Sequence, residues 1–317
     1  MRRQPNNKKM QDWWQKQFPQ GCQYLTITDA RGNPVQIAYG EKGRGKPLVF
    51  VHGLGIWSIS WQHNIDFFAQ YYRVICFDLK GYGFSDKPAY PDKSGYKIIE
   101  LERILAALEI KAAAVVTESV WGAVGLALAE EKPELIDRLI VIGGTIFPKK
   151  LPNIGLKIMA VIPLSLVRII DILRLPKILA PVTRWNLRQI RSEVVVRGEI
   201  PPEDVYWQAY PYINFLHTST RLVIDVKQAA AEISCLQQQK PCLLSKIQDK
   251  LETITCPTLV LWGAEDRWFP VTEARKLDDR LPNSRLKIIP DCGHDVSADC
   301  PDEMNQILLE FLQDTDY

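Results

Sequence analysis

No run in this 317-residue chain is long enough and apolar enough to span a bilayer. The best candidate, Ile158 to Val167, covers ten residues between Lys157 and Arg168 and is interrupted by Pro163, so no membrane crossing is expected. The opening MRRQPNNKKMQDWWQKQF is basic but lacks an apolar core, and no secretory signal is expected there. No CxxC pair occurs among the seven cysteines Cys22, Cys76, Cys235, Cys242, Cys256, Cys292 and Cys300, which are odd in number and mostly set in apolar runs. That dispersal argues against a zinc site and a disulfide framework and favours reduced thiols in a cytoplasmic protein. Histidine is scarce, with four residues and no ligand cluster, so neither metal nor cofactor is expected. Charge of one sign is missing as well: 39 basic and 37 acidic residues leave a formal +2. Without a nucleic-acid motif, nucleic acid is not an expected partner.

What is present is enough apolar material, 46% of the residues, for a large core. The first half alternates short β-type runs with helical ones: YLTIT and VQIAYG as a hairpin, PLVFVHG and RVICFD as strands, WQHNIDFFAQ and IIELERILAAL as helices. AAAVVT, AVGLALAEE and LIVIGG continue the pattern. From about Ile146 to Thr255 it gives way to proline-punctuated helix, then resumes with PTLVLWG, VTEARKLDDRL, SRLKIIP and MNQILLEFL. Such alternation specifies a mostly parallel sheet with helices on both faces, and the interruption specifies an insertion over the carboxyl ends of its strands. The expected units are a basic amphipathic extension (1–20), a core (21–145 and 256–317) and a helical cap (146–255). No internal repeat is apparent.

One motif is a decoy. GEKGRGKP, Gly40 to Pro47, has the glycine and lysine spacing of a phosphate loop, but Pro47 stands where Ser or Thr would meet magnesium. It also joins strand to strand, whereas a phosphate loop opens a helix. A hairpin turn is expected.

Four strand ends carry the candidate chemistry: FVHGLG (Phe50 to Gly55), TESVWG with Ser119, WGAEDRWFP with Asp266, and DCGHD with His294. With DLKGYGFSDKP after the fourth strand, these residues resemble the α/β-hydrolase family, whose nucleophile, acid and base follow in that chain order. The resemblance covers nearly all of the chain outside the first twenty residues and the cap. It implies an eight-stranded α/β-hydrolase fold, Ser119 as nucleophile, His294 as base, Asp266 as its orienting acid, and an oxyanion hole from the backbone N–H groups of Leu54 and Val120. Asp291 and Asp295 flank His294 too closely in sequence to reach its far nitrogen easily, Asp78 reads as a turn carboxylate, and His63 and His217 lie in helix-like segments. Serine in place of aspartate speaks against the epoxide hydrolase and haloalkane dehalogenase branches.

The resembled G-x-S-x-G pattern is broken at both ends, by Thr117 and by Trp121. Glu118, before the serine, is similar to an acid found in some carboxylesterases. Space for the indole is expected from the alanines of Lys111 to Val115, or from a helix shortened in the step of 23 residues from Tyr96 to Ser119. Two functions follow: hydrolysis of an ester, thioester or carbon-carbon bond in a hydrophobic small molecule or lipid, or non-catalytic binding of a lipophilic ligand or partner. Nine basic residues against Asp171 between Lys149 and Arg191, set among apolar residues, suit an anionic membrane surface. The amino terminus adds Arg2, Arg3, Lys8, Lys9 and Lys16 with Met10, Trp13, Trp14 and Phe18. The alternative is that the cap lines an oily pocket while the terminal helix docks on the body.

Overall fold

The apolar runs become one eight-stranded sheet in the computed structural model, which describes residues 8–197 and 200–314. The strands are β1 (Gln23–Thr28), β2 (Pro34–Lys42), β3 (Pro47–Val51), β4 (Arg73–Phe77), β5 (Ala113–Glu118), β6 (Ile136–Ile142), β7 (Thr258–Gly263) and β8 (Ser284–Ile289). They lie in the order β1-β2-β4-β3-β5-β6-β7-β8. β2 pairs antiparallel with β1 and β4, and every pairing from β4 through β3 to β8 is parallel.

The period of two in a strand sorts the core into two layers. Val49, Val51, Val115 and Val141 join one apolar cluster with the helices Tyr96–Ala107 and Gly122–Glu131. Leu48, Phe50, Val116 and Ile140 join the other with the helix Pro301–Gln313. A sheet covered on both faces buries both sides of its strands, and all six residues of β5 are buried, the polar Thr117 and Glu118 at its end included.

Two local expectations are corrected. The Gly40–Pro47 segment does join strand to strand, but β4 lies between β2 and β3, so it is a crossover turn and not a hairpin. The turn needs Gly43 (φ +84°): a Cβ there would lie 2.2 Å from the Tyr72 carbonyl oxygen. The helix expected over WQHNIDFFAQ shrinks to a 3₁₀ turn, Ser58–Trp61, and a single α turn, Ile65–Phe68. Asp78 holds Ser58 by its backbone N–H (2.9 Å) and hydroxyl (2.6 Å), while Trp57 and Trp61 both sink into the core. Those anchors leave no continuous helical path.

Between β6 and β7 the chain forms helices, chief among them Ile154–Val161, Leu164–Ile172, Ala180–Val194, Pro202–Asn214, Thr218–Gln237 and Leu243–Lys250. The amino-terminal helix Lys8–Gln17 lies against the body. Trp13 meets Trp57 at 4.6 Å between ring centres, Trp14 meets Phe84, and all three of Trp13, Trp14 and Phe18 are buried. This aromatic face docks on the protein and is not available to a membrane. Arg2 and Arg3 lie outside the described residues, as do the side chains of Lys8, Lys9 and Met10.

Candidate active site

Ser119 is the first residue after β5, and the chain turns there at φ +56° into the 3₁₀ turn Ser119–Trp121 and the helix Gly122–Glu131. A side chain in the left-handed region costs on the order of 1–3 kcal/mol and persists only where packing imposes it. The helix imposes it by approaching the sheet closely. A Cβ on Gly122 would stand 3.0 Å from Gly144 Cα, and one on Gly125 2.7 Å from Thr117 Cγ2. Close approach is therefore met by Gly122 and Gly125. Thr117 fills the space that Gly125 leaves and donates its hydroxyl to the Ile140 carbonyl at 3.1 Å.

Trp121 turns away from Ser119. Its indole is buried beside Tyr82 (6.3 Å between ring centres) and under the Lys97 ammonium (5.9 Å). Lys97 belongs to the first turn of Tyr96–Ala107, so the indole is accommodated next to that helix. The line between serine and imidazole stays clear: Ser119 Oγ is 2.9 Å from His294 Nε2, and His294 Nδ1 is 2.7 Å from Asp266 Oδ2.

Asp266, in the loop after β7, is fixed through its other oxygen by the backbone N–H groups of Trp268 (2.8 Å) and Phe269 (2.9 Å). These bonds aim Oδ2 at the ring and set the tautomer that leaves Nε2 free to accept the serine proton. Burial by itself would depress the His294 pKa, but the Asp266 carboxylate, by charge and hydrogen bond, with Glu118 and Asp295 beyond it, carries it above the ordinary value. Asp295 instead faces Arg191 at 3.5 Å, and Asp78 clamps Ser58 and the Phe84 N–H. His63 sits half-exposed 3.9 Å from Asp204, and His217 precedes the helix Thr218–Gln237.

The loop after β3 carries Leu54. Buried His52 braces it, with Nδ1 bonded to the Gly53 carbonyl (2.8 Å) and Nε2 accepting from the Leu79 N–H (3.1 Å). Both nitrogens are thus used in the neutral ring, and burial pushes its pKa down to about 3. The cap reaches the same loop through Tyr212, whose hydroxyl donates to the Gly55 carbonyl at 2.8 Å. Val120 is the second residue of the turn that opens the helix Gly122–Glu131, where N–H groups have no partner within the helix. Leu54 and Val120 both border the cavity at Ser119.

Glu118 is buried beside Ser119 and accepts from the Gly53 N–H and the Ser60 hydroxyl, both at 3.3 Å. Burial, reinforced by Asp295 and opposed by His294, pushes its pKa up to about 8. Two contacts had no signal in the sequence. Glu193, near the end of Ala180–Val194, accepts from Asn153 (2.9 Å) and from the Trp268 indole (3.2 Å), and Trp268 packs on His294 at 5.3 Å. The helical insertion is thereby tied to the loop that carries Asp266. Trp268 lies two residues beyond Asp266, and its large ring next to a catalytic loop was the one available hint.

Ser119 borders two adjoining cavities. Trp121, Val124, Val226 and Leu244 are among the residues lining the first, and Met159, Leu187, Tyr212 and His294 among those lining the second. Leu54, Leu156 and Trp268 border both.

Residues 48–307 match the model of the alpha/beta hydrolase family. The chain is 28% identical over 299 residues to a 2-hydroxy-6-oxononadienedioate/2-hydroxy-6-oxononatrienedioate hydrolase of Paraburkholderia phymatum, covering 91% of this chain and 94% of that one. It is also 28% identical to epoxide hydrolase 4 of Mus musculus, covering 92% and 79%. Among solved structures, a putative lipase from Acinetobacter baumannii superposes with a TM-score of 0.73 at 21% identity, covering 98% of this chain and 97% of that one.

Proposed function

Because the chain belongs to the alpha/beta hydrolase family and is a hydrolytic enzyme, we propose that it cleaves an ester, or a thioester or carbon-carbon bond, in a lipophilic small molecule or lipid through Ser119, His294 and Asp266. The observation that carries this reading is the relay of 2.9 and 2.7 Å between serine, imidazole and carboxylate, assembled on a serine held at φ +56°. Ser119 Oγ attacks the carbonyl carbon while Nε2 takes its proton, and Asp266 stabilises the imidazolium. The oxyanion falls to the N–H groups of Leu54 and Val120. The imidazolium returns its proton to the leaving group, and water deprotonated by Nε2 then frees the acyl group from Ser119.

A hydroxyl in contact with the imidazole supports acyl transfer and not the alkyl-ester chemistry of an aspartate nucleophile. The same contact weakens the alternative of a purely binding role. The relative from Paraburkholderia is named for a dienedioate, whereas the walls around Ser119 are rich in Leu, Val, Trp and Phe, which favours a lipophilic substrate. A cytoplasmic site of action is supported by seven free cysteines; no described helix is long and apolar enough to cross a membrane. A fluorophosphonate probe tests the reading: covalent labelling of folded protein at Ser119 is expected, and folded protein that takes up no probe would overturn it.

Acidity gives a second test. The base must be neutral, so kcat/KM is expected to rise with pH through the elevated His294 pKa. It is expected to fall again near pH 8, where Glu118 ionises beside the loop that carries Leu54 and sets negative charge against a developing oxyanion. Glu118→Gln should abolish the alkaline limb and leave the acid limb in place. An identical alkaline limb in the variant excludes Glu118 as its source. Glu118 also affects stability: its raised pKa favours folding at low pH, and that contribution is lost as pH climbs from about 4.5 to about 8.

A further inference from the structure

Eleven of the thirteen exposed large hydrophobic side chains among the described residues fall between Ile154 and Trp185. A soluble surface scatters such residues; contiguous ones mark a docking face. Here they recur at helical spacing. Ile154, Ile158 and Val161 stripe one helix, Ile169 and Ile172 the next, and Trp185 stands 62% exposed on Ala180–Val194. The opposite sides of the same helices are apolar too: Leu156, Met159 and Leu187 line the cavities at Ser119. These helices therefore separate the reacting centre from an outer oily face.

Cations are interleaved with that face. Lys157 lies one turn from Ile154 and Val161, Lys177 precedes Ile178, and Arg188 lies one turn beyond Trp185; all three are exposed, as are Lys149 and Lys150. The other four of the nine basic residues are engaged by the protein. Arg168 donates to the Ala89 carbonyl, Arg174 to the Asn214 carbonyl, Arg184 covers the Tyr206 ring, and Arg191 faces Asp295. The one acid in the stretch is spent internally as well, because Asp171 is buried and accepts from the N–H and hydroxyl of Thr220. What remains outward between Lys149 and Arg191 is apolar stripe plus positive charge, and Glu193 just beyond is bonded to Asn153 and Trp268.

We propose that this face docks on an anionic lipid bilayer. The observation that selects a bilayer over a second copy of the chain is charge: five exposed cations, with the local acid withdrawn, would repel their own image across a twofold interface but complement anionic headgroups. The delivery of lipophilic substrate from the bilayer rests on the hydrolase reading; the docking does not.

Full-length Ser119→Ala protein, which cannot consume lipid through that serine, should be co-sedimented with vesicles of phosphatidylglycerol and phosphatidylcholine and with vesicles of phosphatidylcholine alone. Binding is expected to be at least about tenfold stronger to the anionic vesicles, and to weaken by about tenfold between 0.05 and 0.5 M NaCl as the charges are screened. Ile158→Asp with Trp185→Asp should lower binding by at least about tenfold. The same pair in the Ser119 background should retain hydrolysis of a short, water-soluble ester within about twofold, which shows that the fold is intact. Absence of sedimentation, equal binding to both vesicles, or a dimer in solution that the Asp pair dissolves overturns the proposal, the last by assigning the face to a second copy. Failure of the hydrolase reading would appear separately, as wild-type protein inert toward the soluble ester yet bound to vesicles.

Discussion

Replacing Ser119 by alanine is expected to lower kcat for an activated ester by about 10⁴- to 10⁶-fold with no loss of folded protein. The magnitude follows from what is removed. Without Oγ there is no acyl-enzyme, and the remaining groups can only orient water and stabilise charge, which leaves a residual rate of the kind that backbone donors supply. Stability should not fall, and a modest gain is expected, because alanine has no hydroxyl to hold at 2.9 Å from His294 in a buried site and occupies the same backbone turn. His294→Ala and the double variant should be about as inactive as Ser119→Ala alone, since the two groups act as one unit. Steady-state kinetics with thermal unfolding checks all three proteins. Retention of more than about a tenth of the wild-type kcat in Ser119→Ala would falsify serine catalysis, whatever the fold.

Replacing Lys80 by methionine should cost about 3–5 kcal/mol of stability and lower Tm by on the order of 10 °C. Lys80 is fully buried, and its ammonium lies 3.2 Å from Asp29, 3.0 Å from Asp92 and 2.5 Å from Glu100. Methionine keeps the stem and removes the charge that three buried carboxylates share. Arg221 and Lys97 would remain, but Arg221 is committed to Asp92 (2.6 Å) and Asp225 (3.4 Å), and Lys97 approaches Glu100 at 3.3 Å. Adding Glu100→Gln to Lys80→Met should recover part of the loss, because it removes a charge that the first change leaves unmatched. Additive destabilisation in the double variant would show that the cluster is not coupled. The cluster also bears on function, since Arg221 and Asp225 belong to the cap helix Thr218–Gln237 while Asp92 and Lys97 belong to the core and line the first cavity. Acid should weaken it: Asp29, despite its burial, is held down to about 2 by Tyr90, Asn33 and Lys80, so its contribution is lost as pH falls below about 4 toward 2.

Ser119, His294 and Asp266 were legible as candidates because strand ends announce themselves through apolar runs and because the order of the three residues resembles that of the α/β-hydrolase family. The role of Trp121 was not legible. Its bulk is plain in the sequence, but whether an indole blocks or clears the path to His294 depends on Tyr82 and Lys97, which sit 39 and 24 residues away in sequence. The turn at Gly40–Pro47 shows the same limit on a smaller scale. Strand following strand was readable, yet the interposition of β4 is a choice among pairings that local pattern does not make.

Local pattern determined that this chain alternates strand and helix and that the alternation is interrupted by about a hundred residues of helix, and the resemblance to the α/β-hydrolase family singled out Ser119, Asp266 and His294 among the residues that follow strands. The alternation and its interruption depend on residues within one turn or one strand of each other, where propensity and hydrophobic period act. The tertiary structure decided the rest: the clear line from serine to imidazole, the ties from Glu193 and Tyr212 to the loops that carry Trp268 and Gly55, the burial of Lys80 among its carboxylates, and the docking of Trp13 and Trp14 on the body. These depend on groups brought together from distant segments, and their energies, whether desolvation, ion pairing or close packing, are defined only once the chain has closed around them.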